Sequence, residues 1–140
     1  MREAKMHNII VVDDELDVRD AIKRVLDRAG YSVRTTGDVA EALAELKRCS
    51  ADVVITDIIM PKINGVEAID LIRREFPAVR IIAISGGGNF GTSGYQPNAI
   101  TTSAYLAAAQ RAGAHLVITK PFESKDLLKV VDQVLGVGHA

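Results

Sequence analysis

The chain has 140 residues, with 17 basic residues against 18 acidic ones and a formal net charge of −1. This length suits one domain, and 48% hydrophobic residues can form an ordinary core without a metal ion or disulfide to hold it together. The balanced charge gives no electrostatic reason to expect nucleic acid or an anionic membrane as a partner. The single cysteine, Cys49, has no partner for an internal disulfide, which fits a reducing compartment.

Membrane insertion and secretion are not expected from the sequence. No apolar segment approaches the roughly 20 residues that a membrane-spanning helix needs. The start of the chain, from Met1 to Asn8, lacks the apolar core of a signal peptide. We therefore expect a cytoplasmic protein with a single domain over residues 1–140, whose core covers about residues 7–136.

Short apolar runs alternate with helical patterns along the chain. The run Asn8–Val12 is typical of a strand buried on both faces. A helical stripe of apolar residues follows from Val18 to Ala29, and Gly30 suits the left-handed end of that helix. Residues 31–36 then alternate like a strand at the edge of a sheet.

The same alternation continues to the end of the sequence. Asp38 and Glu41 have the spacing of a capping box at the start of the second helix. Ser124 has the side chain of an N-cap for the last helix. The remaining predicted elements are strands over residues 52–56, 80–84 and 115–119, and helices over residues 65–74 and 99–112.

Five strands that alternate with five helices predict an α/β fold with a doubly wound parallel sheet and helices on both faces. In such sheets, ligands bind outside the carboxyl ends of the strands. The residues that follow each strand are therefore the candidates for a functional site.

Acidic, hydroxyl and basic residues occur at these strand ends. Asp13 and Asp14 end the first strand, Asp57 ends the third, Ser85 ends the fourth, and Lys120 follows the fifth. Each aspartate alone is more often a helix cap or turn residue. If the first and third strands are neighbours, about 4.8 Å apart, the three carboxylates converge, and a hard divalent cation such as Mg²⁺ would relieve their repulsion.

A carboxylate beside a cation, a hydroxyl and an ammonium group suits phosphoryl transfer. Asp57 is the candidate nucleophile, and attack by its carboxylate would yield an aspartyl phosphate. The cation, Lys120 and Ser85 would then hold the phosphoryl oxygens.

Four segments of the sequence resemble one known family. The chain resembles the receiver domain of bacterial two-component response regulators over almost its whole length. The resemblance implies a flavodoxin-like fold with strand order 2-1-3-4-5. The matching segments are Asp13-Asp14-Glu15, Asp57-Ile58-Ile59-Met60-Pro61-Lys62-Ile63-Asn64-Gly65, Ser85-Gly86 and Thr119-Lys120-Pro121-Phe122.

The resemblance also implies a role for each site residue. Asp57 is the expected phosphoacceptor, Ser85 the switch hydroxyl, and Lys120 the lysine that pairs with the phosphoryl group. Asp14 is the expected direct ligand of Mg²⁺, and Asp13 the second acidic residue, often acting through water. The expected metal ligands are thus Asp13, Asp14, Asp57 and the backbone carbonyl of Ile59.

Signalling partners follow from the same resemblance. The phosphoryl donor would be a sensor histidine kinase or a histidine phosphotransfer protein in a phosphorelay. No output domain is recognised in the sequence, so we expect a stand-alone regulator that acts on a downstream protein target and can form a homodimer. Nucleic acid and membranes are not expected partners.

Three features depart from the family pattern, and one is Ile59, which is bulky and apolar where many members have a polar residue. Val117 stands where most members have Tyr or Phe, so the usual aromatic switch residue is missing. A Gly-, Asn- and Ser-rich insertion at about residues 86–98 follows the fourth strand. It is either a flexible connection or a partner-binding loop that uses Phe90 and Tyr95 as contacts.

Two other functions stay open at this point. The first is an aspartate-nucleophile phosphohydrolase of the haloacid dehalogenase type, but that class has Asp-x-Asp after its first strand, whereas this chain has Asp13-Asp14-Glu15. The second is a pseudo-receiver that keeps the fold and signals by binding alone. The complete set of acidic residues argues against the second function.

Overall fold

The computed structural model describes residues 7–57, 65–85, 107–119 and 122–136. Within these ranges, strands and helices alternate as the sequence predicts. The strands are β1 (Asn8–Val12), β2 (Ser32–Thr36), β3 (Val53–Asp57), β4 (Arg80–Ser85) and β5 (Leu116–Thr119). The helices are α1 (Leu16–Arg28), α2 (Val39–Arg48), α3 (Gly65–Glu75), α4, described over residues 107–112, and α5 (Ser124–Leu135).

The five strands form one parallel sheet in the order β2-β1-β3-β4-β5. This confirms the expected flavodoxin-like, doubly wound fold. The chain runs from β1 out to β2 at the sheet edge and then returns to the other side of β1 as β3. The carboxyl ends of β1 and β3 therefore meet where the direction of winding reverses, which is the place where such sheets form a binding crevice.

Helices cover both faces of this sheet. Side chains of α2, α3 and α4, among them Val39, Ile69 and Ala109, pack on one face. Side chains of α1 and α5, such as Leu26 and Val131, pack on the other. All residues of β3 are buried, so a slip of one residue would move core side chains to the wrong face. This fixes the position of the residue that ends β3.

The glycines that end α1 and α4 support two predicted helix ends. Gly30 and Gly113 have φ values of 99° and 129°, a conformation that residues with a Cβ atom rarely adopt. Residues 107–112 are the described part of the helix predicted over residues 99–112. The 86–98 insertion lies outside the described residues. Among the helices that the structure does describe, none is long and apolar enough to span a bilayer.

The predicted capping box of α2 forms only in part. Asp38 caps the helix, and its Oδ1 accepts a hydrogen bond from the N–H of Ala40 at 2.7 Å. Glu41 does not complete the box, because its carboxylate accepts from the Thr36 hydroxyl at 2.5 Å instead. The same hydroxyl oxygen accepts from the N–H of Asp38 at 3.2 Å. A side chain at the end of β2 therefore replaces the expected contact.

The predicted N-cap of the last helix is wrong by one residue. Ser124 is the first helical residue of α5, and Glu123 is the N-cap. The N–H of Glu123 donates to Oδ2 of Asp126 at 3.1 Å. This bond satisfies a backbone donor at the helix start. The sequence pattern assigns the capping of this helix start to the Ser124 hydroxyl.

Candidate functional site

The end of β1 positions Asp13 and Asp14. The N–H of Asp13 donates to the carbonyl oxygen of Thr36 at 3.0 Å, which extends the pairing of β1 with β2 by one residue. The side chain of Asp13 is fully buried, and its Oδ1 accepts from the N–H of Glu15 at 2.8 Å. This bond orients the carboxylate at the turn into α1. Asp14 is exposed.

Asp57 is the last residue of β3, the neighbour of β1 in the sheet. Its backbone pairs with Ile84 of β4, and its side chain is only 6% exposed. Burial of an ionised carboxylate is costly unless hydrogen bonds or cations compensate for the lost water. An aspartate held at the end of a fully buried strand is therefore unlike an ordinary surface acid.

The three aspartates form one cluster. Carboxylate oxygens of Asp13, Asp14 and Asp57, one from each residue, lie within 4.8 Å of one another. The structure thus brings together the three carboxylates that the sequence places at strand ends. Carboxylate oxygens are preferred ligands of hard divalent cations, and one such ion would offset their mutual repulsion. The donor set therefore fits Mg²⁺.

The other predicted site residues are described only in part. The backbone of Ser85 ends β4 and pairs with Thr119 of β5, so Ser85 belongs to the same sheet edge as Asp57. Lys120 follows Thr119 directly in the sequence. Lys120 and Ile59 both lie outside the described residues.

Val117 occupies the position at which the sequence lacks the aromatic residue typical of the resembled family. It lies in β5, pairs with Ala83 of β4, and is partly buried against the core on the α2, α3 and α4 face. A valine at this place has no ring that can turn between an exposed and a buried position. The rotamer switch of an aromatic residue is therefore missing here, as the sequence predicts.

Sequence reasoning missed Arg19 and Gly37, which lie beside the aspartate cluster. Nη1 of Arg19 donates to the backbone carbonyl oxygen of Asp13 at 2.9 Å. Side chains on a helix tilt toward its N-terminus, which lets this arginine of α1 reach back to the end of β1. A Cβ atom at Gly37 would lie 2.5 Å from the same Nη1 atom. The only sequence signal is an arginine soon after an acidic pair, which is not specific.

Comparison with known proteins identifies the family. The model of the response regulator receiver domain matches residues 9–132. The chain is 34% identical over 131 residues to the nitrogen assimilation regulatory protein NtrX of Azorhizobium caulinodans, covering 92% of this chain and 26% of that protein. It is 31% identical over 129 residues to the chemotaxis protein CheY of Thermotoga maritima, covering 90% of this chain and 95% of that protein.

Solved structures agree with the sequence comparison. The crystal structure of the receiver domain of NtrX from Brucella abortus superposes with a TM-score of 0.78 at 30% identity, over 93% of this chain and 99% of that one. A structure of the chemotaxis protein CheY4 of Vibrio cholerae gives a TM-score of 0.78 at 26% identity, over 93% and 99% of the two chains. The chain spans about a quarter of the length of the NtrX and NtrC relatives it matches. On this evidence, the chain belongs to the family of response regulator receiver domains.

Proposed function

We propose that this receiver domain accepts a phosphoryl group on Asp57 in a Mg²⁺-dependent reaction and signals by protein contact. The observation that carries the proposal is the cluster of Asp57 with Asp13 and Asp14, whose oxygens lie within 4.8 Å of one another. Receiver domains are in general signalling modules that interact with histidine kinases and downstream targets, and they typically use Mg²⁺.

In this proposal, Asp57 is the nucleophile. One of its carboxylate oxygens attacks the phosphorus atom of a phosphohistidine on the donor protein. The phosphorus–nitrogen bond breaks, and the imidazole nitrogen leaves with the electron pair and takes up a proton from solvent. Because Asp57 is only 6% exposed, little of the reacting carboxylate is open to bulk water.

Asp13, Asp14 and Asp57 are the proposed protein ligands of the ion, together with the backbone carbonyl of Ile59. A bound Mg²⁺ supplies positive charge next to the phosphoryl group that is being transferred. Asp13 is held in place by its bond to the N–H of Glu15, whereas the exposed Asp14 can meet an ion directly from solvent.

Ser85 and Lys120 are proposed to contact the phosphoryl group after transfer. The pairing of Ser85 with Thr119, the residue before Lys120, supports this role, because it gives both residues a place at one sheet edge. Two hydrogen bonds to a charged group contribute roughly 3–6 kcal/mol. Moving a two-state equilibrium from 1:99 to 99:1 takes about 5.5 kcal/mol. Phosphorylation can therefore shift the populations of two conformations substantially.

An apolar groove between α1 and α5 is the proposed contact surface for the phosphoryl donor. It has a volume of about 410 Å³, and its lining includes Val18, Phe122 and Leu127. Leu16, which begins α1 two residues after Asp14, is 57% exposed. In this proposal, a kinase or phosphotransfer protein that brings its histidine to Asp57 would contact these apolar groups of α1 and α5.

A stand-alone regulator is proposed by likeness to the chemotaxis protein CheY of Thermotoga maritima, of which this chain covers 95%. In that form, the output is contact with a downstream protein target. A homodimer is the second proposed form of the output.

A turnover experiment tests the proposal against the alternatives. The chain is incubated with excess acetyl phosphate and Mg²⁺, and both protein-bound phosphoryl groups and free phosphate are followed over time. A receiver accumulates bound phosphoryl groups up to one per chain. A phosphohydrolase releases many equivalents of phosphate without accumulation, and a pseudo-receiver gives neither result, so each of these two outcomes contradicts the proposal.

A further inference from the structure

We infer that Arg19 is a positioning residue for the aspartate cluster and that Gly37 has no side chain because the guanidinium group of Arg19 fills that space. The inference rests on the proposed Mg²⁺-dependent function, which it extends to two residues that do not contact the reacting groups. Neither residue belongs to the segments that define the predicted site.

The first argument is the hydrogen bond at the end of β1. The N–H of Asp13 still pairs with β2, through the carbonyl oxygen of Thr36. The carbonyl oxygen of Asp13 is instead bonded to Nη1 of Arg19 at 2.9 Å. A donor that carries charge makes a stronger bond to a carbonyl than a neutral donor does. Arg19 therefore fixes the peptide group that joins Asp13 to Asp14.

The second argument is that Asp13 is held at two places at once. Its carbonyl oxygen accepts from Arg19, and its carboxylate accepts from the N–H of Glu15 at 2.8 Å. Arg19 is itself fixed to the same turn, because its N–H donates to the carbonyl oxygen of Glu15 at 3.1 Å. The first turn of α1 thus holds both the backbone and the side chain of Asp13.

The third argument is the space at Gly37. A Cβ atom there would lie 2.5 Å from Nη1 and 3.5 Å from Cζ of Arg19, and 3.6 Å from the carbonyl oxygen of Asp13. Gly37 is not among the glycines with positive φ, so its backbone conformation does not demand glycine. The absence of a side chain at this position instead leaves room for the guanidinium group of Arg19. A Cβ atom would push the flexible end of Arg19 away from Asp13.

The two residues differ in what their substitution does to charge. Replacing Arg19 removes a positive charge near the cluster, and this favours cation binding. It also removes the hydrogen bond to Asp13, and this disfavours cation binding. Gly37→Ala changes no charge and acts only through the displaced guanidinium group. It is therefore the sharper variant. Substitution of residues that orient metal ligands commonly changes metal affinity by 10- to 100-fold. The loss of one hydrogen bond corresponds to a change of about two- to tenfold in an equilibrium constant.

The test compares Gly37→Ala, Arg19→Met and the double variant with the unmodified chain. Hydrogen exchange of the Glu15 amide, followed by NMR without metal, reports on the bond to the Asp13 carboxylate. Titration calorimetry gives the Kd for Mg²⁺. We expect Gly37→Ala to raise the Kd about three- to tenfold and to speed exchange of the Glu15 amide. In the double variant, Gly37→Ala should add nothing to the effect of Arg19→Met.

Arg24→Met is the matched control, because it removes an exposed arginine from the same helix and should leave both measurements unchanged. The inference would be overturned if Gly37→Ala left both the Kd for Mg²⁺ and the exchange of the Glu15 amide unchanged. It would also be overturned if the effects of Gly37→Ala and Arg19→Met were additive in the double variant. A lower free energy of urea unfolding with an unchanged Kd would also overturn it, because that result indicates a structural role alone. If the unmodified chain binds no Mg²⁺, the proposed function fails, while the Glu15 amide still decides whether Arg19 holds Asp13.

Discussion

Asp13 directly follows β1 and Asp57 ends β3, its parallel neighbour, and their carboxylate oxygens, with one from Asp14, lie within 4.8 Å of one another. The pairing of Val12 with Thr56, the residues just before them, sets this approach. Both strands are buried on both faces, so the core holds the carboxylates together against their repulsion. The cluster therefore offers three carboxylates to a divalent cation.

The first prediction concerns the role of Asp14 as a metal ligand. Asp14→Asn should raise the Kd for Mg²⁺ by at least about tenfold, because a neutral amide replaces a charged ligand. Titration calorimetry measures the change. Asp17→Asn is the control, since Asp17 lies in the first turn of α1 and loses the same charge outside the cluster. Equal effects of the two substitutions would show that net charge, and not ligation, governs the affinity.

The second prediction concerns the stability of the metal-free cluster. Asp57→Asn should raise the free energy of unfolding in urea on the order of 1 kcal/mol without Mg²⁺, because it removes one of three clustered charges. With saturating Mg²⁺, the unmodified chain should instead have the higher free energy of unfolding. At a concentration of 100 times the Kd, the ion stabilises the unmodified chain by about 2.7 kcal/mol. A variant that is less stable under both conditions would contradict the account of the cluster.

The third prediction concerns pH and His115. Its Nδ1 accepts from the N–H of Ile81 at 3.1 Å, which a protonated imidazole cannot do. Burial, and then the charges of Arg80 and Arg73, lower the pKa of His115 below its ordinary value of 6.5. Because the folded pKa is the lower one, this stabilising contribution is complete above the unfolded value and is lost as pH falls through the folded pKa.

Unfolding in urea between about pH 8 and pH 5 checks this prediction. His115→Asn is the matched variant, because its Oδ1 can accept from the Ile81 N–H without titrating. The unmodified chain should lose stability relative to His115→Asn as the pH falls below about 6.5. Parallel pH profiles of the two proteins would show that His115 does not contribute in this way.

The fourth prediction concerns Tyr31, which lies directly before β2 and contacts α5 through a hydrogen bond. Its hydroxyl donates to Oδ1 of Asp132. Burial, this hydrogen bond and the charge of Asp132 raise the pKa of Tyr31 above its ordinary value of 10.0. Tyr31→Phe should lower the free energy of unfolding at neutral pH by about 1–2 kcal/mol. The contribution is present below pH 10.0 and is lost as pH rises through the folded pKa.

Ultraviolet titration of the tyrosines provides the check on that pKa. Asp132→Asn keeps an acceptor oxygen but removes the charge, so the raised pKa should move back toward the ordinary value. Tyr31→Phe should remove the high-pH step from the titration altogether. A titration of the Tyr31→Phe protein that matches that of the unmodified chain would contradict the assignment.

The sequence predicted the strand ends well because apolar runs stop abruptly at polar residues. Asn8–Val12 matches β1, and the site follows at Asp13. The third strand was predicted over residues 52–56 but spans Val53–Asp57. Polarity placed Asp57 after the strand, whereas backbone pairing with Ile84 makes it the last strand residue. The strand order came from the family resemblance, because partners in a sheet are chosen by tertiary packing.

Arg19 and Gly37 could not be predicted by the same reasoning. The bond from Arg19 ends on a backbone carbonyl oxygen, which leaves no pattern of residue types in the sequence. The close approach of Arg19 to Gly37 arises only when the loop after β2 meets the side chain from α1. Contacts between loops depend on how the sheet and helices assemble, so the sequence places the aspartates but not the groups that hold them.

Intact-mass spectrometry of the phosphorylated chain tests the central claim most directly. The unmodified chain and Asp57→Asn are incubated side by side with acetyl phosphate, with Mg²⁺ and with Mg²⁺ removed by a chelator. The account predicts a mass increase of one phosphoryl group on the unmodified chain with Mg²⁺, and no increase on Asp57→Asn or without the ion. The same increase on Asp57→Asn, or an increase that does not depend on Mg²⁺, would contradict it.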